Sequence, residues 1–319
     1  MNELLSHIEK TLAITDFDAA LAGYAELYAQ SPQFFLQRPY KNKNHLTHVQ
    51  NAANLARLTL YHKIQPFGEV SARVKAAIEH FVGKTPLQLS PLQRPSYFYV
   101  PGLRDNAFYD ESEFKDFAMI REQAAPLLKA YAASMEELGS QNYLDDFGNL
   151  PDTPHWRALN QNKWMSTTLI KGGEPLALDD ESLIQIRDVV AKNDLADCPP
   201  HAPEMFLSVL KPDAYIPPHF GLSNVKVTAH LPLKVNKHAW LEVKGEKRNW
   251  ADRDYLIFDD SLQHSAGNPH HEERAVLIFD LWHPDLNEDE RSAISSLIHT
   301  QQQWHKSYGM LASVDRGTY

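Results

Sequence analysis

Apolar residues recur along this chain with two different periods, and the change of period divides it. Over roughly the first ninety residues the spacing is helical. Phe17, Leu21, Tyr24 and Tyr28 form one set, and Leu46, Val49, Ala53 and Leu58 a second. Val70, Val74, Ala77, Ile78 and Phe81 form a third. Thr15-Asp16-Phe17-Asp18 has the form of a capping box opening the first of these helices. Pro86 to Pro95 is dotted with proline and predicts a linker. Glu111 to Leu138 reads helical again, with a break expected near Pro126. Strand-like runs follow: Trp164 to Ile170, Met205 to Leu210, Val225 to Leu233, Ala239 to Val243, Tyr255 to Phe258 and Ala275 to Leu281. With turn residues between them, these suit a sandwich or barrel of antiparallel strands. Asn287, with Glu290 three residues on and Ile294, Leu297 and Ile298 beyond, predicts a capped C-terminal helix. The expected organisation is a helical region over 1–95 and a mainly β domain over 96–319 with flanking helices. Ala20 to Pro32 has some likeness to a tetratricopeptide helix, but no second repeat follows at a fixed period, so a packed helical bundle is expected.

Alternation along a strand sends successive side chains to opposite faces. In Lys226-Val227-Thr228-Ala229-His230-Leu231 the polar Lys226, Thr228 and His230 share one face. Arg274, Val276, Ile278 and Asp280 share a face of the last run, as do Phe206, Ser208 and Leu210 of another. A mixed face suits either a ligand pocket with apolar walls or a solvated side of the sheet, and alternation alone leaves both open. His219 in Ile216-Pro217-Pro218-His219-Phe220-Gly221 and His264 in Phe258-Asp259-Asp260-Ser261-Leu262-Gln263-His264 lie 45 residues apart, and Arg274 follows ten residues later. Two imidazoles and a cation on the next strand suit a metal site with a pocket for an acidic co-substrate. They equally suit two polar strand-end histidines.

Composition narrows the partners. The net charge of −10 argues against a protein that grips nucleic acid through a broad basic face. The single cysteine, Cys198, rules out a disulfide within the chain and suits a reducing, cytoplasmic setting. No apolar run approaches membrane-spanning length, and the first residues lack the cationic start and apolar run of a signal peptide.

Five blocks in order carry a resemblance: Leu207-Ser208-Val209-Leu210-Lys211-Pro212, Pro218-His219-Phe220-Gly221, His230-Leu231-Pro232-Leu233, Phe258-Asp259-Asp260-Ser261 and Trp282-His283-Pro284-Asp285-Leu286. With the His-to-Arg spacing kept, the chain from about Pro101 to about Ile294 resembles the aspartyl/asparaginyl β-hydroxylase family of iron(II)- and 2-oxoglutarate-dependent dioxygenases. The resemblance implies a double-stranded β-helix, a jelly roll of cupin-like form. It implies that His219 and His264 bind Fe(II) and are the catalytic pair. It implies that Arg274 binds the distal carboxylate of 2-oxoglutarate, with Ser208 and His230 as further co-substrate contacts. The wider class has a carboxylate two residues after its first His; Gly221 stands there, a lack typical of this family. The implied activity is hydroxylation by dioxygen of an unactivated C–H bond in a small molecule or peptide, with the β-carbon of an aspartyl or asparaginyl unit as one candidate.

Substrate choice is a separate matter. The family often has arginines on the strand before the histidine matching His230; here Thr228 and Lys226 stand there. Lys226 is expected to attract an anionic substrate group as a lone cation at a partly exposed pocket mouth, with Thr228 beside it. Asp259-Asp260 is expected to serve the turn and nearby hydrogen bonds, and His270-His271 to lie in a solvated loop. Two rivals stand beside the dioxygenase: another metal-dependent cupin-like enzyme, and a non-catalytic ligand-binding module.

Overall fold

The computed structural model describes residues 1–135, 138–146 and 153–315. The chain separates into two compact units, one formed by Met1–Lys84 with Ser296–Tyr319 and the other by Thr85–Ser295. Along the sequence the expected division lies at residue 95; by compactness the proline-dotted stretch belongs to the second unit and residues 296–319 to the first.

The first unit holds helices α1 (Asn2–Ala13), α2 (Phe17–Gln30), α3 (Gln33–Leu36), α4 (Lys43–Ile64) and α5 (Ala72–Phe81). Asp16 caps α2, its side chain accepting from Ala19 N. Ile8, Leu21, Tyr24, Leu27, Val49, Ala53 and Ile78 are buried, but Phe17, Leu58 and Val70 are exposed. For Leu58 the reason is geometric: nine residues past Val49 is about two and a half helical turns, which places it on the opposite face.

The second unit is built on two antiparallel sheets. Its strands are β1 (Phe108–Tyr109), β2 (Gln141–Asn142), β3 (Trp164–Lys171), β4 (Glu174–Pro175), β5 (Met205–Leu210), β6 (Ala214–His219), β7 (Lys226–Lys234), β8 (Trp240–Val243), β9 (Glu246–Asn249), β10 (Leu256–Phe258), β11 (His264–Asn268) and β12 (Arg274–Trp282). The larger sheet has the order β1-β10-β7-β12-β5-β3-β2, with β4 paired to β3; the smaller has the order β6-β11-β8-β9. This is the expected jelly roll, with helices α6 (Phe117–Ser134), α7 (Pro154–Leu159) and α8 (Glu181–Ala191) around it and α9 (Glu288–Tyr308) after it. Asn287 and Glu290 cap α9 reciprocally, each side chain accepting the other's backbone N–H.

Side-chain alternation sorts the larger sheet into two cores. Leu207, Val209, Ala229, Leu231, Leu277 and Phe279 pack with Ile120 and Leu128 of α6 and with Ile186 and Val190 of α8. Phe206, Leu210, Leu256, Phe258, Val276 and Ile278 face Ile216, Leu241, Val243 and Ala266 of the smaller sheet. Every residue of β12 is buried because both its faces are covered. Pro126 does not break α6; it lies on the exposed side, where water can take the carbonyl it frees. Among the described residues no helix is long and apolar enough to cross a membrane.

Candidate active site

The strands that carry the two histidines are the least strand-like in composition. β6 contains Pro217 and Pro218, which donate no backbone hydrogen bond; it can sit in a sheet because it is the edge strand of the smaller one. β11 reads His264-Ser265-Ala266-Gly267-Asn268. The two pair antiparallel, with Ile216 opposite Ala266 but His219 opposite His264. The regular register would set Pro218 against His264. A bulge between His264 and Ala266 shifts the pairing by one and brings the imidazoles opposite each other, their planes tilted by 52°. Their ring centroids lie 4.1 Å apart.

Both rings are held in one tautomer. His219 Nδ1 lies 2.8 Å from Pro217 O and His264 Nδ1 lies 2.9 Å from Leu262 O. A carbonyl only accepts, so each Nδ1 carries the proton and each Nε2 keeps an open lone pair. Burial, reinforced by His264, pushes His219 down to about 3. Burial likewise brings His264 to about 4, against the opposing bond to Leu262. Neutral imidazoles with free Nε2 are what a divalent metal binds.

Gly221 has a physical reason here. A Cβ at that position would come within 2.4 Å of Asp260 Oδ2. The Asp260 carboxylate thus occupies the space that a side chain at 221 would need. Asp260 Oδ2 accepts from Lys226 Nζ at 3.0 Å, while its buried Oδ1 has no hydrogen-bond partner. Asp259 serves the turn, accepting from Ser261 N at 2.9 Å and from Gln93 Nε2 at 3.3 Å.

On the inner face of the larger sheet, Ser208, His230 and Arg274 come together across β5, β12 and β7. Ser208 stands opposite Val276, and His230 opposite Ile278. Arg274 is 2% exposed. Its Nη1 donates to Ser208 O at 3.1 Å and to Ser208 Oγ at 3.3 Å, and its Nε has no partner. Burial pushes Arg274 down to about 9. Ser208 Oγ also accepts from Trp164 Nε1 at 3.0 Å, so its remaining capacity is as a donor. Trp250 Nε1 donates to His230 Nδ1 at 3.3 Å, which leaves the His230 proton on Nε2. Burial, with Arg274 nearby, keeps His230 neutral by lowering its pKa well below the ordinary value. Phe258 touches His230 on one side and His264 on the other, at centroid distances of 5.0 and 5.5 Å. A cluster of buried donors, Arg274, Ser208 and His230, therefore adjoins the histidine pair across Phe258.

Lys226 departs from expectation. It is 5% exposed rather than at a pocket mouth, and its Nζ donates to Asp280 Oδ1 at 2.8 Å as well as to Asp260. Burial opposes its charge, but the two carboxylates outweigh burial and hold its pKa above the ordinary lysine value. It is a buried structural cation, and the premise of a lone substrate-seeking ammonium does not hold. Thr228 is buried on the same face of β7. The stretch read as a linker is bound in place: Gln263 N donates to Leu92 O at 2.8 Å and Ser96 N to Gly221 O at 3.2 Å. Leu92–Ser96 thereby braces the loops of both histidines. His270, His271 and Glu272 have ligand atoms within 4.8 Å of one another, but this group lies on the mostly exposed turn before Arg274.

Sequence reasoning missed Trp164, Trp250, and the union of Asp260 and Asp280 around Lys226. Trp250 had one usable signal, a lone aromatic within the charged run Glu246-Lys247-Arg248-Asn249-Trp250-Ala251-Asp252-Arg253-Asp254.

Comparison with known proteins follows the same residues. The family model described as Aspartyl/Asparaginyl beta-hydroxylase matches residues 115–284, just over half of the chain. Aspartate beta-hydroxylase domain-containing protein 2 of Xenopus tropicalis is 25% identical over 219 residues, covering 65% of this chain and 55% of that one. Its human counterpart is 25% identical over 213 residues, covering 64% and 54%. The Aspartyl/asparaginyl beta-hydroxylase of Mus musculus is 31% identical over 91 residues, covering 28% of this chain and 12% of that protein. The chain thus spans about half the length of the first two relatives. Among solved structures, a Cupin 2 conserved barrel domain protein from Salinispora arenicola aligns at 13% identity and a TM-score of 0.25, covering 47% of this chain and 98% of that one. The Cnp3 cupin domain of Schizosaccharomyces pombe aligns at 10% identity and a TM-score of 0.25, covering 38% and 66%.

Proposed function

The chain belongs to the aspartyl/asparaginyl beta-hydroxylase family, and from that premise we propose that it is an iron(II)- and 2-oxoglutarate-dependent dioxygenase that hydroxylates an unactivated C–H bond. The observation that carries the reading is the cluster of buried donors beside the histidine pair. Arg274 is 2% exposed and has no carboxylate partner among the described residues, and Ser208 and His230 offer further donors on the same face. A dicarboxylate fits that donor set: Arg274 would take the distal carboxylate through its fork, with Ser208 Oγ–H and His230 Nε2–H on the remaining lone pairs. The donor set of His219 and His264 fits Fe(II), because both rings are neutral with Nε2 open. When bound, the metal and co-substrate supply the oxidising power by which dioxygen and a C–H bond give an alcohol, while 2-oxoglutarate becomes succinate and carbon dioxide.

The protein's own share is orientation and exclusion of water. The bulge at β11 aligns the imidazoles, and Phe258, Trp164 and Trp250 wall the co-substrate pocket. Gly221 leaves room for Asp260, whose buried Oδ1, without a partner among the described residues, would serve as an acceptor for a water or ligand donor. The β-carbon of an aspartyl or asparaginyl unit is one candidate for the hydroxylated position. An anionic substrate group would have to be met by something other than Lys226, which is already paired. A cytoplasmic setting belongs to this reading and suits the buried free thiol of Cys198.

The test is turnover. Purified protein given iron(II) and 2-oxoglutarate, with peptide libraries or cell extract, should form succinate and add one oxygen to a substrate seen by mass spectrometry. His219→Ala or His264→Ala should abolish succinate formation. Normal turnover by either variant would sink the assignment of the histidine pair. Metal binding without 2-oxoglutarate consumption would favour a different cupin-like enzyme or a binding module.

A further inference from the structure

Trp250 touches two of the three residues that would hold the co-substrate's carboxylates, though it comes from the other sheet. It follows β9 of the smaller sheet and is 1% exposed, in the core between the sheets. Its indole N–H lies 3.3 Å from His230 Nδ1. The two rings are 20° from coplanar, with centroids 5.9 Å apart. That separation is too long for rings stacked face to face and suits rings joined edge to edge through an in-plane hydrogen bond. The face of the same indole lies 4.7 Å from the Arg274 guanidinium carbon.

The hydrogen-bond chemistry has one solution. An indole N–H only donates, so His230 Nδ1 must accept, and the neutral ring must carry its proton on Nε2. An Nε2–H can donate to a carboxylate. The other tautomer would turn a lone pair on the carboxylate and repel it. Resting on the 2-oxoglutarate reading above, we propose that Trp250 is a positioning residue for the co-substrate: its N–H locks His230 as a donor, and its ring backs the Arg274 guanidinium. One side chain thereby prepares two of the pocket's three donors before any ligand arrives.

Trp250→Phe is the discriminating variant, because phenylalanine keeps an aromatic ring toward Arg274 while removing the N–H donor, at the cost of a smaller ring. The first measurement uses nitrogen-15-labelled histidine in protein without metal or co-substrate. Nitrogen NMR separates a protonated from an unprotonated ring nitrogen, so it reports the His230 tautomer directly. Wild type should show His230 with Nε2 protonated and Nδ1 bare, and Trp250→Phe should show a mixture. The second measurement is calorimetry of 2-oxoglutarate binding to protein loaded with zinc(II), where no turnover intervenes. Trp250→Phe should weaken binding about tenfold, as expected when one charge-assisted hydrogen bond is degraded. Zinc affinity should be unchanged. In a His230→Gln background, where the amide can offer its own N–H, the effect of Trp250→Phe should largely vanish. A proton on Nδ1 in the wild type overturns the proposal even if the variant fails to fold. An unchanged tautomer and unchanged 2-oxoglutarate affinity in Trp250→Phe also overturn it. A wild-type protein that takes up no 2-oxoglutarate overturns the underlying reading instead, a separate outcome from loss of the Trp250 role.

Discussion

Replacing Arg274 with methionine should leave the ligand-free protein as stable as before, or make it more stable, while removing its response to 2-oxoglutarate. The first half runs against the usual expectation for a buried charged residue, and the structure supplies the magnitude. Burial pushes the guanidinium from its ordinary range down to about 9. At about 1.4 kcal/mol per factor of ten, that is on the order of 5 kcal/mol of unfavourable charge burial. Against it stand the bonds from Nη1 to Ser208, worth about 1–3 kcal/mol, and the contact with Trp250, worth about 1–2 kcal/mol. Methionine has similar length and lines the same wall without charge. The net change is therefore between roughly zero and a few kcal/mol of added stability. Co-substrate reverses the balance in the wild type alone, because the carboxylate supplies the missing anion. At a hundredfold excess over Kd, 2-oxoglutarate should stabilise the wild type by about 2.7 kcal/mol and the variant by nothing measurable. Urea unfolding of both proteins, with and without 2-oxoglutarate and in the absence of iron, reads both quantities. If the ligand-free variant is weaker by about 3–5 kcal/mol, the guanidinium is a satisfied structural group and the pocket needs no anion. If the variant still responds to 2-oxoglutarate, another residue holds the distal carboxylate.

Two further outcomes follow from the same geometry. Gly221→Ala should drive a Cβ into the Asp260 carboxylate and loosen its bond to Lys226, costing about 1–3 kcal/mol in urea unfolding; a loss below about 0.5 kcal/mol would show that the carboxylate can move aside freely. His201, whose Nε2 lies 2.6 Å from Ser223 Oγ, is pushed down to about 4 by burial, with Lys226 adding to the effect. Below the unfolded value near 6.5, the unfolded chain takes up a proton that the folded one refuses, so this contribution is lost as pH falls from about 6.5 toward 4. Relative to His201→Gln, the wild type should lose about 2 kcal/mol of stability between pH 7 and pH 5, and equal slopes in the two proteins would show that His201 is not held neutral.

Local pattern alone carried much of the architecture. The apolar runs within Met205–Leu210, Lys226–Lys234 and Arg274–Trp282 mark the strands at the centre of the larger sheet, because a strand covered on one face is apolar at every second residue and one covered on both faces is apolar nearly throughout. The capping pair Asn287 and Glu290 marks the start of α9 because both partners are local. Three of the five family blocks placed Ser208, His219 and His230, and the His-to-Arg spacing added His264 and Arg274. Tertiary structure decided what those residues can do. β6 and β11 were invisible to periodicity, since two prolines, a glycine and an asparagine carry no strand signal; the neighbouring strands make them strands. The one-residue bulge that sets His219 against His264 has no sequence signature. Lys226 looked like a free cation because its partners lie 34 and 54 residues away, and only folding brings Asp260 and Asp280 to it. Trp250 reaches His230 and Arg274 for the same reason. The chain specifies its strands through near neighbours, whereas the charge of Lys226 and the tautomer of His230 depend on groups that only strand pairing and the packing of the two sheets bring together.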